Sequence, residues 1–142
     1  MPRPRRKHLS STYRSGLEVR NADYLKSTGT KFEYETLKIE YTEPVSNHTY
    51  TPDFTITTKS GKTIIIETKG IWDYKDRSKH LLVREQHPEL DIRFVFTRSK
   101  SKITKLSKTT YADICNGLGR GKFKGVKWKY ADKLIPKEWL HE

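Results

Sequence analysis

The stretch YTPDFTITTKSGKTIIIETKG, Tyr50 to Gly70, carries two apolar alternations around a short polar break, and its reading decides the fold. Phe54 and Ile56 recur with period two before Lys59, Ser60 and Gly61, and Ile64 and Ile66 do so after them, which is the pattern of a β-hairpin. A three-residue loop with Gly61 in the left-handed region pairs Thr58 with Lys62, and every later pair follows from that register. Phe54 then meets Ile66 and Ile56 meets Ile64 on an apolar face. Thr55, Thr57, Ile65, Asp53, Glu67 and Lys69 share the other, with Asp53 directly opposite Glu67. A two-residue turn of Ser60 and Gly61 would send the two carboxylates to opposite faces.

Directly opposed strand residues hold their Cβ atoms about 4.5–5.5 Å apart, where like charges repel. A divalent cation removes that penalty, since hard oxygen ligands suit magnesium or manganese and leave positions for water and a phosphate oxygen. Lys69, two positions beyond Glu67, can orient or deprotonate an attacking water or neutralise the scissile phosphate. Burial beside a cation favours its neutral form and nearby carboxylates its charged form, and both remain open. Taken singly, a Glu and Lys at a strand end are often a solvated pair, and Asp after Pro often opens a turn. Pro52, Asp53, a hairpin-length gap and then Glu67-X-Lys69 on a basic background point instead to metal-dependent phosphodiester cleavage.

Upstream, Ser15 and Glu18 form a capping-box pattern, Leu17, Ala22 and Leu25 recur at helical spacing with Glu18 toward the buried side, and Gly29 suits the exit. KFEYETLKIEY (31–41) alternates, slips phase at Glu35 and Thr36, then alternates again, which predicts one strand with a bulge or bend. TEPVSNHTYTP (42–52) reads as an extended connector. Downstream, DYKDRSKHLLVREQHP (73–88) predicts a helix stopped by Pro88. DIRFVF (91–96) predicts a strand parallel to the preceding one, so that the sheet is mixed. A basic loop covers 98–108, a short helix 109–118, a strand VKWKY (126–130), and a helical turn follows Pro136.

With 142 residues, the chain suits one domain with a modest core. Its apolar fraction is 33% and its charged fraction 32%, so the core must come from a few concentrated segments. A net charge of +12, from 29 basic and 17 acidic residues, points to a polyanionic partner, nucleic acid first. Apolar runs no longer than three residues are far short of a membrane span, and the basic start MPRPRRKH does not read as a secretory signal but as a flexible arm over residues 1–13. The lone Cys115 forms no internal disulfide, no zinc spacing is present, and His48, His80 and His87 lack ligand geometry. Arg3, Arg5, Arg6 and Lys7 in the arm, and Arg98, Lys100, Lys102, Lys105 and Lys108 in the loop, are candidate phosphate contacts. Trp72, Trp128 and Trp139 suit core packing better than base stacking.

The arrangement resembles the PD-(D/E)XK nuclease superfamily, here as Pro52, Asp53, Glu67, Thr68 and Lys69, and the order helix, strand, hairpin, helix, strand matches its core. Within it, RSGLE, KFEYE, SNHTYTPDF, ETKG, KHLLVREQHPELDIR and ADKLIPKEW are similar to the endonuclease I family of T-odd bacteriophages, which are Holliday-junction resolvases. The similarity runs from about Arg14 to the end, and matches least in the basic arm and in a glycine and lysine insertion near Gly117 to Gly125. It implies an α/β fold: a mixed central sheet flanked by helices, a restriction-endonuclease-like core over residues 14–142, and an intertwined, domain-swapped homodimer bridged near 44–47. It implies Glu18, Asp53, Glu67 and Lys69 as catalytic residues, Glu18 coming from the partner chain. One or two Mg2+ ions, with Mn2+ able to substitute, would be held by Glu18, Asp53, Glu67 and the carbonyl of Thr68. The expected substrate is branched DNA, four-way junctions especially, with no membrane partner, in the cytoplasm of an infected bacterial host. A general nuclease of the superfamily without junction preference, or a non-catalytic DNA-binding module, is the alternative.

Overall fold

The computed structural model describes residues 12–43 and 46–142. Along the chain, helix α1 (Gly16–Ser27) leads to strands β1 (Lys31–Tyr34), β2 (Ile39–Glu43), β3 (Ser46–Tyr50), β4 (Phe54–Thr57) and β5 (Thr63–Lys69). Helix α2 (Tyr74–Gln86), strand β6 (Ile92–Phe96), helix α3 (Tyr111–Cys115) and strand β7 (Asn116–Leu118) follow. A 3-10 turn (Gly121–Phe123), strands β8 (Lys124–Lys127) and β9 (Tyr130–Asp132) and helix α4 (Lys137–Leu140) complete the order. The central sheet has five strands in the order β1, β4, β5, β6, β9. The first three are antiparallel, and β6 and β9 join in parallel.

The β4–β5 hairpin has the register expected from its loop. Gly61 takes φ +87°, the Thr58 N–H donates to the Lys62 carbonyl, and Phe54 pairs with Ile66 and Ile56 with Ile64. Period-two alternation then sorts the side chains. Ile64 and Ile66 pack with Phe54, Ile56, Val95, α1 through Ala22 and Leu25, and α4 through Leu140. Ile65 faces the other way, into a cluster with Tyr50, Val83 and Ile92. Beside it, a third cluster gathers Trp72, Phe94, Phe96, Phe123 and Trp128. Trp72 and Trp128 are thus core residues, and Trp139 packs against the first cluster.

The helix ends follow their sequence signals. Ser15 caps α1 by accepting from the Glu18 N–H, and Gly29 at φ +67° closes it, with the Thr30 N–H donating to the Leu25 carbonyl in a Schellman arrangement. Asp73 caps α2. The capping box expected at Ser15 is only half made: the Glu18 carboxylate accepts from the Arg14 N–H instead.

Four expectations are corrected. The strand predicted across 31–41 is two strands in different sheets: Glu35 turns the chain at φ +52°, and β2 leaves the central sheet to pair with β3. The connector 42–52 contains β3, because Tyr41 and Tyr50 have a core to enter against α2 and β5. The helix expected over 109–118 stops at Cys115, where the Trp128 N–H donates to the Cys115 carbonyl and β7 pairs with β8. The strand expected over 126–130 is divided at Trp128, whose ring turns into the core, so β8 pairs with β7 and β9 with β6. The arm residues Arg3, Arg5, Arg6 and Lys7, and Pro44 and Val45 of the expected bridge, lie outside the described residues.

Candidate active site

Asp53 immediately precedes β4 and Glu67 lies near the end of β5, so the hairpin register sets them opposite one another. The Asp53 N–H stands 3.4 Å from Glu67 Oε2. Glu67 is 6% exposed, and its other polar neighbours are fixed: the Tyr50 hydroxyl donates to Oε2 at 2.6 Å, and Lys69 Nζ lies 3.2 Å from Oε1. Burial first, and the Asp53 charge second, push the Glu67 pKa up to about 7, against the pull of Lys69 and Tyr50.

Lys69 is largely buried and sits between two acids, Glu67 and Asp76, the latter at 2.6 Å in the first turn of α2. Burial works against its charge, but Glu67 and Asp76 outweigh that and raise its pKa above the ordinary lysine value. Of the two protonation states that the residue pattern allows, the paired acids thus select the ammonium. Behind this row, His80 is 1% exposed, meets the rings of Tyr50 and Phe94 at their edges, and is kept neutral by burial.

A second acidic group meets Asp53 from the α1 side. Oxygens of Glu18, Glu35 and Asp53 all lie within 4.8 Å of one another. Glu18 is buried, and the Tyr34 hydroxyl donates to its carboxylate at 3.0 Å. Desolvation, then the charge of Asp53, raises its pKa. Glu35 pairs with Arg14 at 3.2 Å, and its N–H donates to the Asp53 carbonyl at 3.0 Å. Asp53 Oδ2 accepts from the Thr68 N–H at 2.9 Å and hydroxyl at 2.7 Å. Buried Glu18 and half-buried Glu35 and Asp53, carboxylates that repel one another and offer only hard oxygen donors, have the chemistry of a divalent-cation site.

Glu18, Asp53, Glu67 and Lys69 are thus brought to one end of the sheet. Glu67, however, is turned toward Tyr50 and Lys69, and the tight acidic trio has Glu35 in its place. Within the chain described, Glu18 stands beside Asp53. β2 pairs antiparallel with β3, and α1 and β1 pack against β4. Sequence reasoning missed Glu35, Asp76, Tyr34 and Tyr50. The phase slip at Glu35 was the one visible signal, and the others became partners only through packing. Arg98, Lys100, Lys102 and Lys105 lie on the segment between β6 and α3 and form no ion pair among the described residues.

The chain belongs to the phage endonuclease I family, whose family model matches residues 3–142. It is 52% identical over 130 residues to Endonuclease I of Escherichia phage T7, an alignment spanning 92% of this chain and 79% of that protein. It is also 52% identical over 124 residues to Endodeoxyribonuclease 1 of Enterobacteria phage T3, spanning 87% and 74%.

Proposed function

We propose that the chain is a metal-dependent DNA endonuclease that cleaves branched DNA, four-way junctions above all, as an intertwined homodimer. The observation that carries the reading is the buried carboxylate of Glu67 opposite Asp53, with the Lys69 ammonium 3.2 Å from it, in a chain akin to two phage endonucleases. The names of those relatives support DNA as the substrate, and their source supports action inside an infected host cell.

Glu18, Asp53, Glu67 and the Thr68 carbonyl are the groups that would hold one or two Mg2+ ions, or Mn2+. A divalent cation supplies charge that polarises a phosphate oxygen and lowers the pKa of bound water. Lys69, held charged by Glu67 and Asp76, suits neutralisation of the scissile phosphate better than proton abstraction. Thr68 orients Asp53 through two donors, and Tyr50 orients Glu67. Exposed cations at 98–108 suit phosphate contact along the arms of a junction, and the basic residues Arg3, Arg5, Arg6 and Lys7 carry the charge for the same role.

Two symmetric cuts in a four-way junction call for a twofold pair of sites. A crossover to the partner at the bridge expected near 44–47 would exchange α1, β1 and β2 between chains and deliver a partner's Glu18 to Asp53.

Cleavage of a four-way junction and of a matched linear duplex, each with and without Mg2+, tests the reading. Junction cutting that needs the metal and exceeds linear cutting is expected; equal rates would remove the junction preference, and binding without nicking in any metal would leave a DNA-binding module. Refolding Glu18→Ala chains with Lys69→Ala chains should restore one working site per heterodimer. No recovery in proven heterodimers would exclude partner donation.

A further inference from the structure

The first turn of α2 faces two ways. Asp76 reaches Lys69, while Tyr74 and Arg77 line a cleft of about 590 Å³ between the 3-10 turn and the segment 103–109. Arg77 is the unusual member. It is only 4% exposed; among the described residues no carboxylate lies within 4.0 Å of it and its Nε–H finds no hydrogen-bond partner, while its guanidinium donates to the Trp72 carbonyl. A buried guanidinium without a counter-ion is costly, and the group that relieves it is an anion with oxygen acceptors.

The rest of the cleft matches that need. Lys108 and Arg120 lie along its lining, no acidic residue does, and Tyr74 and Leu106 present 62% and 99% of their surface. Lys122 lies 4.9 Å over the Tyr74 ring. Residues 116–129 carry Arg120, Lys122, Lys124, Lys127 and Lys129 and no acid. This stretch includes the glycine and lysine insertion, and it is rigidly mounted: Phe123 and Trp128 are 5% exposed in the core, and a Cβ at Gly119 would come within 2.7 Å of Phe123.

We infer that this cleft binds an unstacked nucleotide of the DNA strand engaged at the neighbouring site, its phosphate held by Arg77, Lys108 and Arg120 and its base laid against Tyr74 and Leu106. Cations for the backbone and an exposed aromatic for a base are what single-stranded recognition combines. The inference rests on the DNA endonuclease reading of the adjoining residues, and it adds a second point of attachment that a paired, stacked strand does not fill.

The test uses the full chain with Glu67→Gln, so that binding is read without cleavage. Junctions and short single strands carrying 2-aminopurine at an unpaired position are titrated by fluorescence over a salt series. Lys108→Glu with Arg120→Glu should weaken binding at least tenfold and lower the salt slope by about 2, one for each cation that no longer neutralises a phosphate. Tyr74→Ala should remove a 2-aminopurine signal that Tyr74→Phe retains, with unchanged thermal midpoints for all variants. Affinity and slope in the double variant equal to those of Glu67→Gln alone, while the chain with Glu67 intact cuts DNA, would overturn the cleft and leave the endonuclease reading standing. A chain with Glu67 intact that never cuts DNA, with binding still weakened in the double variant, would do the reverse.

Discussion

Glu67 concentrates the conflict on which the site depends. Its carboxyl ionises near pH 7 in the folded chain against an ordinary value of 4.5. The folded state therefore prefers the proton, and the site contributes a penalty that is absent below pH 4.5, grows as pH rises and is complete above about 7. A shift of that size corresponds to about 3 kcal/mol. In chelator, urea denaturation of the Glu67→Gln chain should show a stability gain over the wild type that widens from about pH 5 to about pH 8; a constant difference would mean that Glu67 ionises normally. The same variant should lose cleavage by about 10³-fold or more, since the proposed metal ligand and the charged partner of Lys69 are both gone. Asp76→Asn leaves the acids of the trio intact but removes the 2.6 Å ion pair that holds Lys69. Cleavage at saturating DNA should drop about 10²-fold with junction affinity kept, as expected of a group that positions another.

Among the elements, the β4–β5 hairpin does most to make the site. Its loop was legible because a single glycine at the left-handed position fixes both the length of the turn and the pairing beyond it. Gly61→Ala should destabilise the chain by about 1 kcal/mol through backbone strain alone, because nothing lies within 4 Å of the added carbon. A neutral effect in thermal unfolding would mean the loop relaxes to another form. Legibility fell off where pairing was decided by distant partners. β2 and β3 read as strand remnant and connector because SNHTY has exposed, polar residues and only Tyr50 enters the core. The division of β8 from β9 depended on Trp128 finding Trp72, 5.5 Å away. Neither alternation nor turn residues encode which of two apolar faces a strand will meet.

For the whole molecule, one ionic knot ties Glu142 to the centre of the sheet. Arg93, fully buried on β6, donates to Asp91 at 2.8 Å and to Glu142 at 2.9 Å. These hydrogen bonds hold both carboxyls down to about 2. With folded values depressed, the stabilisation is present above the ordinary carboxylate range and fades as pH falls from about 4 toward about 2. The thermal midpoint should drop across that window, and less so in Glu142→Gln, which already lacks its share; identical acid profiles would show that the knot contributes nothing. Junction affinity should also fall steeply with added salt, given the +12 charge.

The residues alone established the hairpin register, the pairing of Asp53 with Glu67, the parallel β5–β6 arrangement and the basic character, because each is a matter of short-range spacing or composition. They could not reveal that Asp76 secures Lys69, that Glu35 joins Glu18 and Asp53, or that Arg77 is buried with no carboxylate of the described residues within 4.0 Å. Those contacts join segments far apart or on different faces, and they arise when apolar clusters bring the layers together. Desolvation then does what no sequence pattern records: it raises the Glu67 pKa, while the acids around Lys69 keep it charged.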